Sequence, residues 1–555
     1  VLGPVDVLGG APTTAAGRRS QSTPHSRRFP CSTAADASEP RSPGSQPFLI
    51  SSFDTTDPTP LDGENRMSLI TATTRAHRID RRIYGQFAEH LGRGIYEGLW
   101  VGEQDEIPHK NGLRVDAIAA LREIQVPVVR WPGGCFADEY HWLGGVGPSE
   151  QRRAMVNTHW GGVVDPNTFG THEYFELLHQ LDAEAYVNGN VGSGSVAEMQ
   201  DWVEYMTLDQ HTPMAELRRA HGRDQPWKLQ FFGVGNESWG CGGNMLPLHY
   251  ANLYRQYQTF VRDYGDSHVA KVACGANADD YEWTDVLMAR AAGHMDALSL
   301  HYYTLPTGEW DVKGAALSFD DAAWYDTIHR TRQMDTLLRR HGEIMDRHDP
   351  ARRVGLFVDE WGTWYDVERG TNPGFLFQQN TMRDAMVAAV NFHIFHRHAA
   401  RVRMTNIAQM VNVLQAMLLT DGARMLKTPT FHAFGMYVDH QDADFVETVD
   451  DGGRANGRGG AHLDHTVSVK DGVYTVSAVN WDLEAEADLT LRLPERVGEG
   501  VSARILHAPA SAHNTFEEPD AVAPTDFAGT VVEGSDLRLP LPPRSIVTVR
   551  VRTAG

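Results

Sequence analysis

Short apolar, β-rich runs alternating with amphipathic helical stretches constrain this chain more than any other feature. The runs fall at 82–89, 126–132, 184–190, 229–237, 271–278, 297–304, 353–360 and 403–411, and many close on Gly, Asn or a carboxylate. Helical periodicity fills the gaps, as at 115–124, 172–181, 248–264, 283–292, 329–347 and 375–398. Strands that alternate with helices imply parallel pairing, because a parallel neighbour needs a crossover long enough to hold a helix. Eight such units predict a closed (β/α)8 barrel, the TIM-barrel architecture, with its chemistry at the C-terminal strand ends.

The pattern changes near residue 440. Runs at 466–469 and 473–479 alternate around Lys470-Asp471-Gly472, a hairpin signature. Further short strands follow at 487–493, 503–507 and 545–552 with no helical period between them, so an antiparallel β-sandwich is expected over 441–555. The barrel is assigned to 67–440, with 67–80 expected to lend the sandwich a strand through the run at 69–74. Residues 1–66 read differently. Pro, Ser, Thr and Gly make up about half of them and no apolar period is sustained, so burial cannot offset the entropy of ordering. They are expected to be a disordered extension or an over-extended gene start, with Met67 as the natural first residue.

The formal net charge of −22 argues against nucleic acid or an anionic membrane surface as partner. No apolar run is long enough to span a membrane. Four cysteines, Cys31, Cys135, Cys241 and Cys274, are too few for a disulfide scaffold in 555 residues. None stands in CxxC spacing, so structural zinc is not expected, and Cys241 and Cys274 are read as buried thiols.

Polar chemistry concentrates where the barrel should open. The first run ends Phe87-Ala88-Glu89-His90, the second Arg130-Trp131-Pro132-Gly133-Gly134-Cys135, the fourth Gly235-Asn236-Glu237-Ser238-Trp239 and the seventh Val358-Asp359-Glu360-Trp361. A carboxylate closing a buried strand is costly unless it is paired or functional. A salt bridge would account for one such residue. Glu237 and Glu360 together, across one mouth, match the pair that glycoside hydrolysis requires. One carboxyl protonates the leaving oxygen, the other attacks the anomeric carbon or activates water, and their surroundings must separate their pKa values. Asn236 is suited to hydrogen-bond a sugar hydroxyl beside the reacting carbon. Trp100, Trp131, Trp142, Trp160, Trp239, Trp361 and Trp364 all fall at or after run ends, and sugar faces stack on such rings; Trp131 and Trp142 serve equally well as core.

Here the residues reach a resemblance. Tyr84-Gly-Gln-Phe-Ala-Glu-His-Leu-Gly-Arg, Arg130-Trp-Pro-Gly-Gly-Cys-Phe, Gly235-Asn-Glu and Val358-Asp-Glu-Trp resemble α-L-arabinofuranosidases of glycoside hydrolase family 51, over roughly 67–555. Gly-Asn-Glu alone marks only the wider clan of barrel glycosidases; the first two segments make the resemblance specific. It implies Glu237 as acid/base and Glu360 as nucleophile, with Glu89 and Asn236 gripping arabinofuranosyl hydroxyls. It implies Tyr303 near the nucleophile and Gln409 as a further sugar contact. Cys135 stands where many members carry Asn, and a thiol is a weak hydrogen-bond partner. In arabinoxylan-active members, aromatic residues at places such as His159-Trp160 and Trp364 contact the backbone sugar. The resemblance also implies a cytoplasmic homo-oligomer, often a hexamer, needing no metal and no organic cofactor.

Other signals are weaker. His393, His396 and His398 share a proposed helix without a metal-binding HExxH pattern, so a surface or core role is expected. Asp138 and His141 are placed to brace the loop after the second strand, and Asp279 and Asp280 are read as solvated. The resulting reading is a retaining exo-α-L-arabinofuranosidase that releases terminal arabinofuranose from arabinoxylan- or arabinan-derived oligosaccharides. The rivals are another clan glycosidase, such as an endo-xylanase, and a non-catalytic carbohydrate-binding barrel.

Overall fold

The computed structural model describes residues 67–103, 106–264, 268–450, 462–498 and 500–553; the expectation for 1–66 lies outside them. Eight parallel strands close a barrel in chain order: Gly85–Phe87, Val128–Trp131, Glu184–Gly189, Phe231–Val234, Ala270–Asn277, Ala297–Thr304, Gly355–Thr363 and Val402–Ala408. Each lies in or across one expected run. The fourth stops short because Gly235 turns the chain at φ +87°. Helices Val115–Glu123, Thr171–Leu181, Pro247–Gln258, Tyr281–Ala291, Gln333–His348 and Met382–Arg397 fall where periodicity places them. Asp280, expected to be merely solvated, caps one of them by accepting from Trp283 N at 3.0 Å.

The lower barrel is plugged by Val128, Tyr186, Phe231, Val272, Ala297, Phe357 and Met404, one inward residue from each of seven strands. This apolar layer leaves only the upper end open for polar side chains. Strand alternation also decides the tryptophans. Arg130 and Glu360 point inward, so Trp131 and Trp361 point outward and are fully buried, Trp131 stacked 4.8 Å from Tyr174. Trp142 is buried as well, so these three are core rather than a sugar-binding rim.

The remaining strands form a sandwich. Its sheet order is Thr525–Asp526, Ser502–His507, Ser545–Arg552, Val473–Asn480, Leu463–Lys470, Asp444–Asp450, Met67–Arg78, Ala487–Arg492, Asp536–Leu541 and Val531–Glu533. Val467, Val476, Val547 and Val549 share one core with Ile70, Leu489, Leu491, Leu537 and Leu539, so the sheet's two halves pack face to face. Met67–Arg78 runs antiparallel to Asp444–Asp450 and parallel to Ala487–Arg492, at the middle of the sheet. Lys470 pairs with Val473 across Asp471 (φ +51°) and Gly472 (φ +74°), the two positive angles of a tight hairpin turn.

Helix Met382–Arg397 is buried on nearly every face, capped by Thr381 and Asp384. His396 bridges Tyr84 Oη (2.8 Å) on the barrel and Thr466 Oγ1 (3.0 Å) on the sandwich, and His393 meets Tyr437 Oη at 2.6 Å. His398 pairs with Asp335 at 3.0 Å. His396 thus ties the two domains together, while the bonds of His393 to Tyr437 and of His398 to Asp335 stay within the barrel.

Candidate active site

A bulge in the seventh strand builds half of the site. Ser299 pairs with Phe357 and His301 with Glu360, so two residues of the sixth strand span three of the seventh. The extra residue brings the consecutive Asp359 and Glu360 both to Arg130, which strict alternation would forbid. Arg130 Nη1 donates to Glu360 Oε2 at 3.0 Å, and Nε lies 3.5 Å from Asp359 Oδ2. Its Nη2 donates to Asn236 Oδ1, and the guanidinium sits 4.5 Å over the Phe87 ring. Tyr303 Oη donates to Glu360 Oε1 at 2.7 Å, and Tyr186 Oη to Asp359 Oδ2 at 2.6 Å. Arg130 and His301 hold the Asp359 carboxyl below its ordinary range, outweighing the opposite push of burial.

The fourth strand supplies the other half. Gly235 (φ +87°) and Glu237 (φ +36°) bracket Asn236, a left-handed geometry that Glu adopts only under constraint. Asp138 supplies that constraint. Its carboxylate accepts from Val191 N (3.1 Å), Gly192 N (2.9 Å) and Asn236 N (3.1 Å), fastening three loops. It does not reach His141, which pairs with Glu198 at 2.9 Å, so the expected Asp138–His141 brace is replaced by a backbone clamp. Asn236 is buried, and its Nδ2 has no hydrogen-bond partner among the described residues. A Cβ on Gly134 would lie 3.2 Å from Glu360 Oε2 and 3.5 Å from that Nδ2, so glycine keeps this space open.

The two glutamates face one another closely. Donor atoms of Glu237, His301 and Glu360 all lie within 4.8 Å of one another. His301 Nδ1 meets Glu237 Oε1 at 2.8 Å and Nε2 meets Asp359 Oδ1 at 3.1 Å. Burial opposes a charge on His301, but Glu360, Asp359 and Glu237 overcome it and raise its pKa to about 10. Burial first, and then the nearby Glu360 carboxylate, push Glu237 above the ordinary range. Glu89 is also buried. Its Oε1 accepts from Gly134 N (2.9 Å), Phe136 N (3.1 Å) and Trp160 Nε1 (2.9 Å), and its Oε2 from Gln409 Nε2 (3.0 Å). Burial and Glu360 raise its pKa to about 7.

Of the residues named from sequence and resemblance, the structure joins Asn236, Glu237, Tyr303 and Glu360 in one hydrogen-bonded network through Arg130, Asp359 and His301, and Glu89 with Gln409 in a second network that meets it at Gly134. Trp160 belongs to the second through Glu89, and Trp364 packs edge-on to Tyr303 at 4.9 Å. His159 is exposed beside Trp160 and makes no described contact with the carboxylates. Trp239 donates to Gly275 O at 3.1 Å, and Trp100 lies 5.8 Å from Phe169. Cys135 and Cys241 overturn the free-thiol reading: they form a disulfide across a separation of 106 residues, while Cys274 remains a buried thiol. The loops after the second and fourth strands converge at the rim, a proximity that sequence spacing does not reveal. The sulfurs lie 3.9 and 3.5 Å from Glu237 Oε2. Without S–H groups they offer that oxygen apolar contact rather than hydrogen bonds. Arg130, His301 and Asp359 were missed, although Arg130 and Asp359 stand inside quoted strand-end motifs and His301 lies two residues before Tyr303.

Among the described residues, two trios bring donor atoms close enough to suggest a cation: Glu237, His301 and Glu360, and Cys135, Glu237 and Cys241. In the first, Arg130 and the imidazolium already supply positive charge. In the second, a disulfide replaces the thiolates a metal would require. The arrangement instead fits proton transfer and nucleophilic attack between two carboxyl groups.

Two family models match, described as an α-L-arabinofuranosidase 1 domain over 120–327 and an α-L-arabinofuranosidase C-terminal domain over 359–545. An intracellular exo-α-L-arabinofuranosidase of Bacteroides ovatus is 47% identical over 479 residues, covering 85% of this chain and 93% of that protein. The crystal structure of a family 51 arabinofuranosidase from Xanthomonas axonopodis pv. citri is also 47% identical, with a TM-score of 0.84 over 88% of this chain and 99% of that one. The chain belongs to the α-L-arabinofuranosidases of glycoside hydrolase family 51. An arabinose complex of the Thermotoga maritima α-L-arabinofuranosidase shares 27% identity and a TM-score of 0.77 over 87% of this chain and 100% of that one. In this arabinofuranosidase chain the two matched segments divide the site, Glu237 falling in the first and Glu360 in the second.

Proposed function

We propose that this enzyme is a retaining exo-α-L-arabinofuranosidase, with Glu237 as acid/base and Glu360 as nucleophile. The observation that carries the reading is the approach of Glu237 and Glu360 donor oxygens to within 4.8 Å. Retention uses carboxyl groups about 5–5.5 Å apart, whereas inversion needs about 6.5–9.5 Å to admit a water. Their surroundings suit different tasks. Glu360 faces Arg130 and Tyr303, which orient a carboxylate for attack on C1. Glu237, raised by burial and by Glu360, keeps a proton to give to the leaving oxygen.

Once C1 is bonded to Glu360, that carboxylate's charge is gone and so is its upward push on Glu237. The Glu237 pKa falls, and the same group becomes the base that deprotonates water for the second step. Asn236 Nδ2, Glu89 Oε2 and Gln409 surround the space where the furanose hydroxyls lie in this reading. The substrates are terminal arabinofuranosyl groups on arabinoxylan- or arabinan-derived oligosaccharides. A cytoplasmic location and a homo-oligomeric state belong to the same proposal. The location is supported by the relative named intracellular.

The test is hydrolysis of p-nitrophenyl α-L-arabinofuranoside beside the β-xyloside, with NMR of the first anomer released. Rapid release of arabinose with retained configuration is expected. Inverted product, or preference for the xyloside, overturns the reading.

A further inference from the structure

The loop between the sixth barrel strand and helix Asp321–Thr331 carries an indole that the catalytic cluster does not use. Trp310 is 50% exposed, the only tryptophan so open among the described residues. It meets Trp364 edge-on at 5.3 Å, and Trp364 meets Tyr303 edge-on at 4.9 Å. Tyr303 in turn donates to Glu360. Three aromatic rings therefore step outward from the reacting carboxylate to solvent along one side of the barrel mouth.

The loop is held in place. Asp366, just past Trp364, accepts from Lys313 N (3.3 Å) and Gly314 N (3.1 Å), and its own N–H donates to Gly314 O at 2.9 Å. Arg330 donates to Pro306 O (3.0 Å) and Thr307 O (2.8 Å). Gly308, at φ +78°, allows that close approach, since a Cβ there would lie 2.2 Å from the Arg330 guanidinium. Lys313 Nζ lies over both indoles, 5.6 Å from Trp310 and 5.8 Å from Trp364, and donates to Trp310 O. The ammonium takes one face of Trp310 and leaves the open part of the ring to solvent, with further N–H donors beside it.

An immobilised, half-exposed indole costs little ordering entropy when it binds. Its apolar face matches the C–H face of a pyranose, and the adjacent ammonium matches a ring hydroxyl. We propose that Trp310 and Lys313 form an outer subsite for a pyranose unit of the backbone that carries the scissile arabinosyl group. This rests on the reading of Glu237 and Glu360 as a glycosidase pair and extends the cleft beyond Trp364. The unit bound there lies outside the cleaved linkage, so the subsite sorts substrates by backbone rather than by the terminal sugar.

The experiment compares wild type, Trp310→Ala and Lys313→Ala as full chains. Each is assayed on p-nitrophenyl α-L-arabinofuranoside and on arabinose-branched xylo-oligosaccharides, with unbranched xylopentaose as inhibitor of the aryl reaction. For Trp310→Ala we expect kcat/KM on the branched substrates to fall about tenfold and on the aryl substrate to stay within about twofold. The inhibition constant of xylopentaose should rise by a similar factor, with a smaller rise for Lys313→Ala. Equal losses on both substrates, or unchanged xylopentaose inhibition, overturn the subsite. A change in sedimentation mass with unchanged kinetics also overturns it, assigning Trp310 to contact with a second copy. Failure of wild type to cleave the aryl arabinofuranoside would instead overturn the glycosidase reading beneath it.

Discussion

His301 Nδ1 lies 2.8 Å from Glu237 Oε1, so a side chain raised to about pKa 10 stands against the proposed acid/base. An imidazolium there lowers the Glu237 pKa, partly offsetting burial and Glu360, which raise it. In the proposed mechanism Glu237 is protonated for the first step, so kcat/KM should decline as pH rises through its pKa. In His301→Gln the lowering influence is lost, and the alkaline limb of the kcat/KM profile should move to higher pH. A limb that stays put or moves down would remove His301 from the control of Glu237.

Chemical rescue separates the roles of the two glutamates. Glu360→Ala should lose turnover, and azide should restore it with the configuration inverted, since the anion attacks from the vacated side. Glu237→Ala should still cleave substrates with good leaving groups, and azide should intercept the covalent intermediate to give a retained glycosyl azide. NMR of the two azides checks the assignment, and exchanged stereochemistry would reverse it.

Arg130 is fully buried against Asp359, Glu360 and Asn236. Removing one partner of a buried ion pair costs roughly 3–5 kcal/mol, because the other charge is left uncompensated. Arg130→Met should lower unfolding stability by about that amount. Adding Asp359→Asn should recover part of it, as followed by urea denaturation. No recovery would mean that Arg130 contributes packing rather than charge balance.

Glu89 gives stability a definite pH slope. Burial and Glu360 raise its folded pKa from 4.5 to about 7, so the folded state binds more protons than the unfolded one between these values. Its contribution is fully present below the unfolded pKa and is lost as pH rises through the folded pKa. Wild type should therefore lose stability from this group between about pH 4.5 and 7. Glu89→Gln, which does not titrate, should show a shallower decline in Tm across that interval. Asp138, also raised to about 7 by burial, keeps the residual slope from vanishing. An unchanged slope in the variant would mean that Glu89 is ionised throughout.

The barrel was legible because its eight runs repeat, and Glu237 and Glu360 because a carboxylate at a strand end breaks an apolar pattern. Arg130 and His301 were not, since each sits inside a run whose alternation makes one polar residue unremarkable. The joint inward placement of Asp359 and Glu360 depends on a bulge that period-two reading excludes. The Cys135–Cys241 bond depends on two loops meeting in space. The tryptophans were over-read because a ring next to an inward charge on a strand points away from the pocket, as Trp131 and Trp361 do.

Met67–Arg78 fills an interior position of the sandwich sheet, between Asp444–Asp450 and Ala487–Arg492. During synthesis that segment emerges before the barrel, yet both its partners emerge after it. It must stay unpaired while more than three hundred residues are translated, and the sheet is completed only when the chain's late segments return to it. A fragment cut near residue 440 would carry the late strands with a gap at the sheet's middle and two exposed edges, a template for aggregation. Transplanting the sandwich as an autonomous module therefore requires carrying the early strand with it, for instance by circular permutation.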